Sequence, residues 1–498
     1  MGIVRKQSFY STISIYLGFA FGAFNLVVLM PKFLTQDEIG LTRVLIDVAT
    51  LMGTVATLGT VPVINKFFPF YQDYLSPKKN DLPKLTAWVS IIGFVLFLLF
   101  ALTFKGSIIK SFSNKSPLFI EYFYAIYPLT FFIMVYNLLE GFAWGLHKTV
   151  VSNFLKEGAM RMVATIILVL MPILGISFKW YIDYFWIPYA FPVVFLFLAL
   201  RKTKQLYFVK GISSVTRRLG KRMLLFSSYV FTSNVFTLLR KMNDVLLIAH
   251  TSGLGNAGIF SYAVFVTNFM DVPQRSMYAI TTPLLAVAWK NKDMAKIDEL
   301  YKKSSITLSI IGMAIFGAIW LSHNNLVLFL QMFRGDDWSI ISSIIFVLGL
   351  SKMIDLITGV NNQIIQTSSY WRFDFICSVL LVILSVVLIY NLLTIYGPIG
   401  AAYADLITVF LWNLIRYLFI LVKFKIQPLS VKTLWALLLG AAGIVLLQYI
   451  PFIMNIYVDS IVRSGLFLVL YGLAAVKLNL SEDVNAMWNN LQRRLINR

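Results

Sequence analysis

The chain has 498 residues, is 59% hydrophobic and 15% aromatic, and carries 43 Lys and Arg against 22 Asp and Glu, for a net charge of +21. With a mean hydropathy of +0.78 and repeated apolar runs near twenty residues, this composition excludes a soluble globular domain. A bilayer core of roughly 30 Å needs about 20 apolar residues per helix, so the chain reads as a polytopic membrane protein.

In chain order, fourteen windows of that kind lie near 8–31, 39–64, 85–104, 118–140, 149–174, 180–200, 222–249, 256–285, 303–322, 338–358, 370–390, 397–422, 431–450 and 457–477. The first follows only "MGIVRKQ" and leads into "MPKFLTQDEIG" with no small-residue cleavage site, so it reads as a retained helix and not a removed signal peptide. The even-numbered connections and both tails carry about 28 Lys and Arg, against about 6 in the odd-numbered ones, which predicts that both termini are cytoplasmic. The net charge is accordingly assigned to topology and to anionic lipid head groups, not to nucleic acid.

The span at 39–64 carries a single polar stripe, with Arg43, Asp47, Thr50, Thr54 and Thr57 at helical spacing. The richest loop, "RKTKQLYFVKGISSVTRRLGKR" at 201–222, has eight basic and no acidic residues and is expected to lie along the cytoplasmic membrane surface, where it meets anionic lipids. In the seventh span, "SNVFTLLRKMNDVLLI" places Ser233, Thr237, Arg240 and Asp244 on one stripe, with Lys241 about 100° round the helix. The eighth adds Ser261, Asn268, Asp271 and Arg275. Pro273, between the last two, frees a backbone carbonyl and is expected to kink the helix, either at a cavity or facing lipid. Lys352 and Asp355 lead into "TGVNNQIIQT", where Asp355, Asn362 and Gln366 share a face: an entry vestibule or the wet end of a helix. Glu157, Arg161, Asp374, Asp405, Arg416 and Arg463 read as helix-to-helix pairing charges. The tail "SEDVNAMWNNLQRRLINR" places Val484, Trp488, Leu491 and Leu495 on one face of an interfacial helix.

Single Cys377 excludes an intramolecular disulfide, and His147, His250 and His323 lack ligand spacing, so no metal site and no cofactor is expected. Sliding the chain on itself by 218 residues aligns "TQDEIGLTRVLIDV" with "SGLGNAGIFSYAVFV", the loop 71–86 with 289–304, Gly141 with Gly359 and Thr149 with Thr367. Each unit then holds six spans, an even number, which implies parallel repeats about an axis along the membrane normal. The same offset brings Asn268 and Arg275 onto Thr50 and Thr57. The expected organisation is a six-helix lobe at 1–200, a basic linker at 201–222, a second six-helix lobe at 223–422, two further helices at 423–480 and a cytoplasmic amphipathic tail at 481–498.

Fourteen spans arranged six plus six plus two, the "FLTQDEIGLTRVL" segment, its echo "LGNAGIFSYA" and the basic linker together resemble the multidrug, oligosaccharidyl-lipid and polysaccharide exporter superfamily, and within it the bacterial polysaccharide flippases. The resemblance implies two lobes around a central cavity, alternating access, and movement of a lipid-linked oligosaccharide to the outer leaflet of the cytoplasmic membrane. A diphosphate head group needs cations and a glycan needs hydroxyl and amide partners. The stripes supply Arg43, Arg240, Lys241, Arg275, Asn268, Thr50, Thr54 and Thr57 as candidate substrate contacts. Asp47, Asp244 and Asp271 are the candidate coupling carboxylates for a proton or sodium ion. Alternatively, the pairs Arg43–Asp47, Arg240–Asp244 and Asp271–Arg275 only neutralise each other and lock helices together.

Two rivals differ in class. A cation-coupled multidrug antiporter is expected to carry an acid in its first span or the repeat mate; span 1 has none, and Asp244 is flanked by Arg240 and Lys241. A glycan polymerase or ligase needs a sizeable external loop, whereas the longest here, "FKGSIIKSFSNKSP" and "HNNLVLFLQMFRGDDW", run to roughly 15 residues, so the chain is read as a transporter and not an enzyme, and it is expected to act as a monomer.

Overall fold

The computed structural model describes residues 18, 20–146, 148–209, 211–334, 337–451, 455–485 and 488, without the side chains of residues 229, 230, 233–243, 279, 334, 371 and 375. All regular structure among them is helical, and each of the fourteen apolar windows contains helix. Ten helices among the described residues are long and apolar enough to cross a membrane. By contacts the chain divides between Gly258 and Ile259.

The first unit contains α1 (Ala20–Phe33), α2 (Gln36–Ala56), α3 (Thr60–Tyr74), α4 (Leu82–Phe112), α5 (Ile126–Gly145), α6 (Met160–Ile173), α7 (Ile187–Arg201) and α8 (Ser214–Ser252). α2 starts where Thr35 and Glu38 cap each other. The Thr35 hydroxyl accepts the Glu38 amide at 3.3 Å, and the Glu38 carboxylate accepts the Thr35 amide at 2.7 Å. Asp37 and Glu38 lie at its positive end.

The second window, expected to be one helix, is two. Leu58 and Gly59 take φ of 46° and 76°, and the freed Leu58 carbonyl accepts the Ser227 hydroxyl of α8 at 2.8 Å. A Cβ on Gly59 would lie 2.5 Å from that same hydroxyl, so this close approach requires glycine. The connection around 105–112, expected to be external, is largely helical, because α4 runs on to Phe112.

α8 begins inside the basic segment. Asp81 accepts the Ser213 amide at 2.8 Å and the Thr216 hydroxyl at 2.9 Å, while the Tyr71 hydroxyl lies 2.6 Å from Thr216 Oγ1. This anchors the helix start over a core that includes Ile64, Phe68, Tyr71 and Leu82. With 39 residues, α8 is roughly 58 Å long, about twice a hydrocarbon core, so its ends are expected on opposite sides of the membrane. Single cysteines at Ser214 and Ser252 in a Cys377→Ser background should therefore label from opposite faces of intact cells, Ser214 from the cytoplasm. Same-side labelling would refute the topology.

α9 (Leu254–Thr267) crosses the division and ends in a 3-10 turn, Asn268–Met270. The second unit continues with α10 (Asp271–Asn291), α11 (Met294–Leu321), α12 (His323–Arg334), α13 (Ile340–Ile357), α14 (Asn361–Thr367), α15 (Trp371–Tyr396), α16 (Pro398–Phe424), α17 (Val431–Gln448) and α18 (Ile456–Lys477). Pro273, where a kink is expected, is the third residue of α10, just after the 3-10 turn. The connection at 323–338, expected to be external, is mostly the helix α12.

α17 and α18 pack onto α11: Gly440 sits against Met313, and Gly317 sits under the Phe467 ring. Arg463 ties the last two helices together. It is bound to Asp459 at 2.8 Å and donates to the Leu447 and Ile450 carbonyls at the end of α17 at 3.2 and 2.8 Å. Of the tail, residues 482–485 are helical and Val484 packs on the core of this unit, while Leu491 and Leu495 lie outside the described residues.

The repeat offset is exact at one place and drifts at others. It superposes Gly40 on Gly258, and these two glycines lie against each other, with a Gly40 Cβ 3.1 Å from the Gly258 nitrogen. Gly141, by contrast, is inside α5, whereas Gly359 turns the chain at φ 63° beyond α13. Thr149 starts a short helix and Thr367 ends one. An ungapped slide cannot follow these differing helix ends.

Candidate functional site

In the first unit the stripe is carried by α2. Arg43 donates to Asp47 at 3.1 Å, with the guanidinium side chain 46% exposed and the carboxylate side chain 5% exposed. The Thr54 hydroxyl donates to the Thr50 carbonyl at 2.9 Å, and that of Thr57 to the Thr54 carbonyl at 2.7 Å. Thr50 and Thr54 are half-buried and Thr57 is buried, so both hydroxyl protons are turned onto the helix. Asp244 is half-buried and engaged in interactions. The side chains of Ser233, Thr237, Arg240 and Lys241 lie outside those described, and with them the Arg240–Asp244 pair.

In the second unit three candidates meet a fourth residue. Lys352, on α13, donates to Asp271 at 2.7 Å and to Asn268 Oδ1 at 3.3 Å, whereas Arg275 stands 4.0 Å from the same Asp271 oxygen. Helical spacing predicts Arg275 as the partner of Asp271, but the nearer contact comes from another helix. Arg275 is 67% exposed.

Below this cluster Asp355 accepts Gln274 at 2.7 Å and Asn413 at 3.0 Å. Asn413 Oδ1 in turn accepts Thr358 and Asn361, both at 2.7 Å. Asn362 and Gln366 belong to a different network: Asn362 accepts Arg416 at 3.0 Å, and Gln366 donates to Asp374 at 3.3 Å. The shared face expected for Asp355, Asn362 and Gln366 is therefore not formed. α13 ends at Ile357, and the turn at Gly359 leaves Asp355 on α13 while Asn362 and Gln366 stay together on α14. Arg416 and Asp374, both buried and 2.7 Å apart, join α16 to α15 as a helix-to-helix pair. Glu157 and Arg161 pair within their own helical segment at 2.8 Å, and Asp405 accepts Ser351 at 2.7 Å.

Two further features were not legible in the sequence. Buried Glu140 accepts Lys156 at 2.8 Å, which only the fold brings near. An apolar groove of about 980 Å³ lies in the second unit, lined among others by Met313, Phe316, Leu350, Met353, Phe410 and Ile444, with Gln448 also lining it. On α13 the groove residues Leu350, Met353, Ile354 and Ile357 follow helical spacing, and Lys352 and Asp355 fall on the opposite face.

The architecture is an all-helical, multi-span membrane fold of about fourteen spans, two six-helix repeats followed by two further helices. Among solved structures it is similar to the lipid II flippase MurJ in an inward closed conformation, at a TM-score of 0.70 and 15% identity, covering 95% of this chain and 98% of that one. It is also similar to a multidrug resistance MATE family transporter of the MOP superfamily, inward-facing, at 0.63 and 16% identity over 80% of this chain and 94% of that one. A MATE structure in complex with MaL6 follows at 0.52 and 15% identity, over 84% and 96%. The chain therefore shares the fold of these structures. No protein-family model matches it, and no curated protein matches it significantly.

Proposed function

We propose that the chain is a flippase that moves a lipid-linked oligosaccharide from the cytoplasmic to the outer leaflet of a bacterial cytoplasmic membrane by alternating access, for surface polysaccharide synthesis. The observation that carries this reading is the two-sidedness of α13. One face lines an apolar groove suited to a polyprenyl chain, and the other carries Lys352 beside exposed Arg275, suited to a phosphate head group. Lys352 and Arg275 outnumber Asp271, the one carboxylate within ion-pair distance of them, while Asp355 beside the cluster is held by Gln274 and Asn413; this favours an anionic ligand over a cationic drug. Asn268, Thr50 and Thr54 offer acceptors to a glycan, and Asp47 and Asp271 are placed beside cations whose hold on them changes if access alternates. The likeness to MurJ agrees with this reading, and the basic start of α8, with Arg217, Arg218, Lys221 and Arg222 all exposed, suits anionic lipid head groups.

The likeness to the MATE transporter supports the second reading, a cation-coupled multidrug antiporter. Deleting the gene separates the two. The flippase predicts lost surface glycan, with lipid-linked oligosaccharide accumulating inside and drug sensitivity unchanged. Normal surface glycan with heightened drug sensitivity would overturn it in favour of the antiporter.

A further inference from the structure

Asp271 has two cations within reach, and the choice between them sets what Arg275 can do. Four residues apart on one helix, Asp271 and Arg275 are spaced to form an ion pair. They meet only at 4.0 Å, because Lys352 holds the same carboxylate oxygen at 2.7 Å. Lys352 has an additional hold: it also reaches Asn268, the first residue of the 3-10 turn, and so ties that turn to the start of α10. The neighbouring Gln274 is fixed from α13 as well, through Asp355. The first turn of α10 is thus clamped to α13 at two points, Lys352 and Asp355, three residues apart. Side-chain exposures follow the same order, with Asp271 at 19%, Lys352 at 26% and Arg275 at 67%.

We propose that Lys352 is a positioning residue that occupies Asp271 and thereby leaves the Arg275 guanidinium free to bind a phosphate or diphosphate group. The inference rests on the proposed reading that Arg275 meets an anionic head group. Within ion-pair distance there are one carboxylate and two cations, Asp355 being held by Gln274 and Asn413, and Lys352 ensures that the unmatched positive charge of this trio resides on the planar, two-point donor and not on a point charge. Without Lys352, Asp271 captures Arg275 through the i, i+4 geometry and that unmatched positive charge is lost.

The test is binding of farnesyl diphosphate, a soluble polyprenyl diphosphate, to the purified full-length chain in detergent, measured by calorimetry. Binding is read instead of transport, so a coupling role of Asp271 does not enter. Lys352→Met should weaken binding about fivefold, the scale of an ion pair formed in competition with the ligand. Lys352→Met with Asp271→Asn should bring affinity back to within about twofold of the parent, since no carboxylate remains to capture Arg275. A thermal melt of each variant establishes that it is folded, and the double variant serves where Lys352→Met alone leaves Asp271 too poorly paired to fold. Unchanged binding in Lys352→Met, or a folded double variant that binds as weakly as the single one or no better than Arg275→Ala, overturns the positioning role. A parent chain that binds no diphosphate, or Arg275→Ala binding as the parent does, overturns the anionic head-group reading and the inference with it.

Discussion

Replacing Arg43 with alanine is expected to abolish glycan export and to lower stability by about 2 kcal/mol. Asp47 is buried on α2 at 4% exposure and accepts the Arg43 guanidinium at 3.1 Å, so the substitution leaves a buried carboxylate without this partner. Breaking a fully buried pair costs about 3–5 kcal/mol, and the smaller figure reflects the 46% exposure of Arg43, where water screens the interaction. The informative variant is the double one, Arg43→Ala with Asp47→Ala. If the pair only neutralises itself, removing both charges restores thermal stability and export together. If Arg43 binds the head group, stability returns and export does not. Export at the parent rate in the double variant, scored as surface glycan in a deletion strain, would refute the substrate role of Arg43.

Gly40→Val should prevent accumulation of folded protein. A Cβ at Gly40 would fall 1.8 Å from the Leu254 carbonyl oxygen and 2.6 Å from its carbon. Backbone cannot rotate aside as a side chain does, so the two segments must separate, at a cost of roughly 3 kcal/mol or more. Gly106→Val is the control, because nothing lies within 4 Å of a Cβ there. Gly40→Val accumulating and melting like the control would show that the crossing at Gly40 and Gly258 is looser than described.

Apolar periodicity and length were enough to place fourteen spans, since the bilayer demands a long apolar run for each and every window contains helix. Local spacing was enough for what lies within one helix: the Arg43–Asp47 pair, and the helical register that puts Thr50 and Thr54 on the same stripe. The 218-residue offset even superposes the two glycines that touch. Periodicity is silent on where a helix breaks when another helix supplies the missing hydrogen bond, as Ser227 does at Leu58, so the second window reads as continuous. It is equally silent on which of two cations a carboxylate takes. The i, i+4 rule selects Arg275 for Asp271, but Lys352, 81 residues away, lies closer, as Arg416 does for Asp374 across 42 residues. The groove follows the same logic, because a helix pattern identifies an apolar face but not whether a neighbour covers it or leaves a space. Sequence alone determined the membrane-spanning repeat and the candidate charges on each helix. Only the tertiary structure decided how those charges pair, because pairing between helices depends on their rotation and closest approach, which no spacing within one helix encodes.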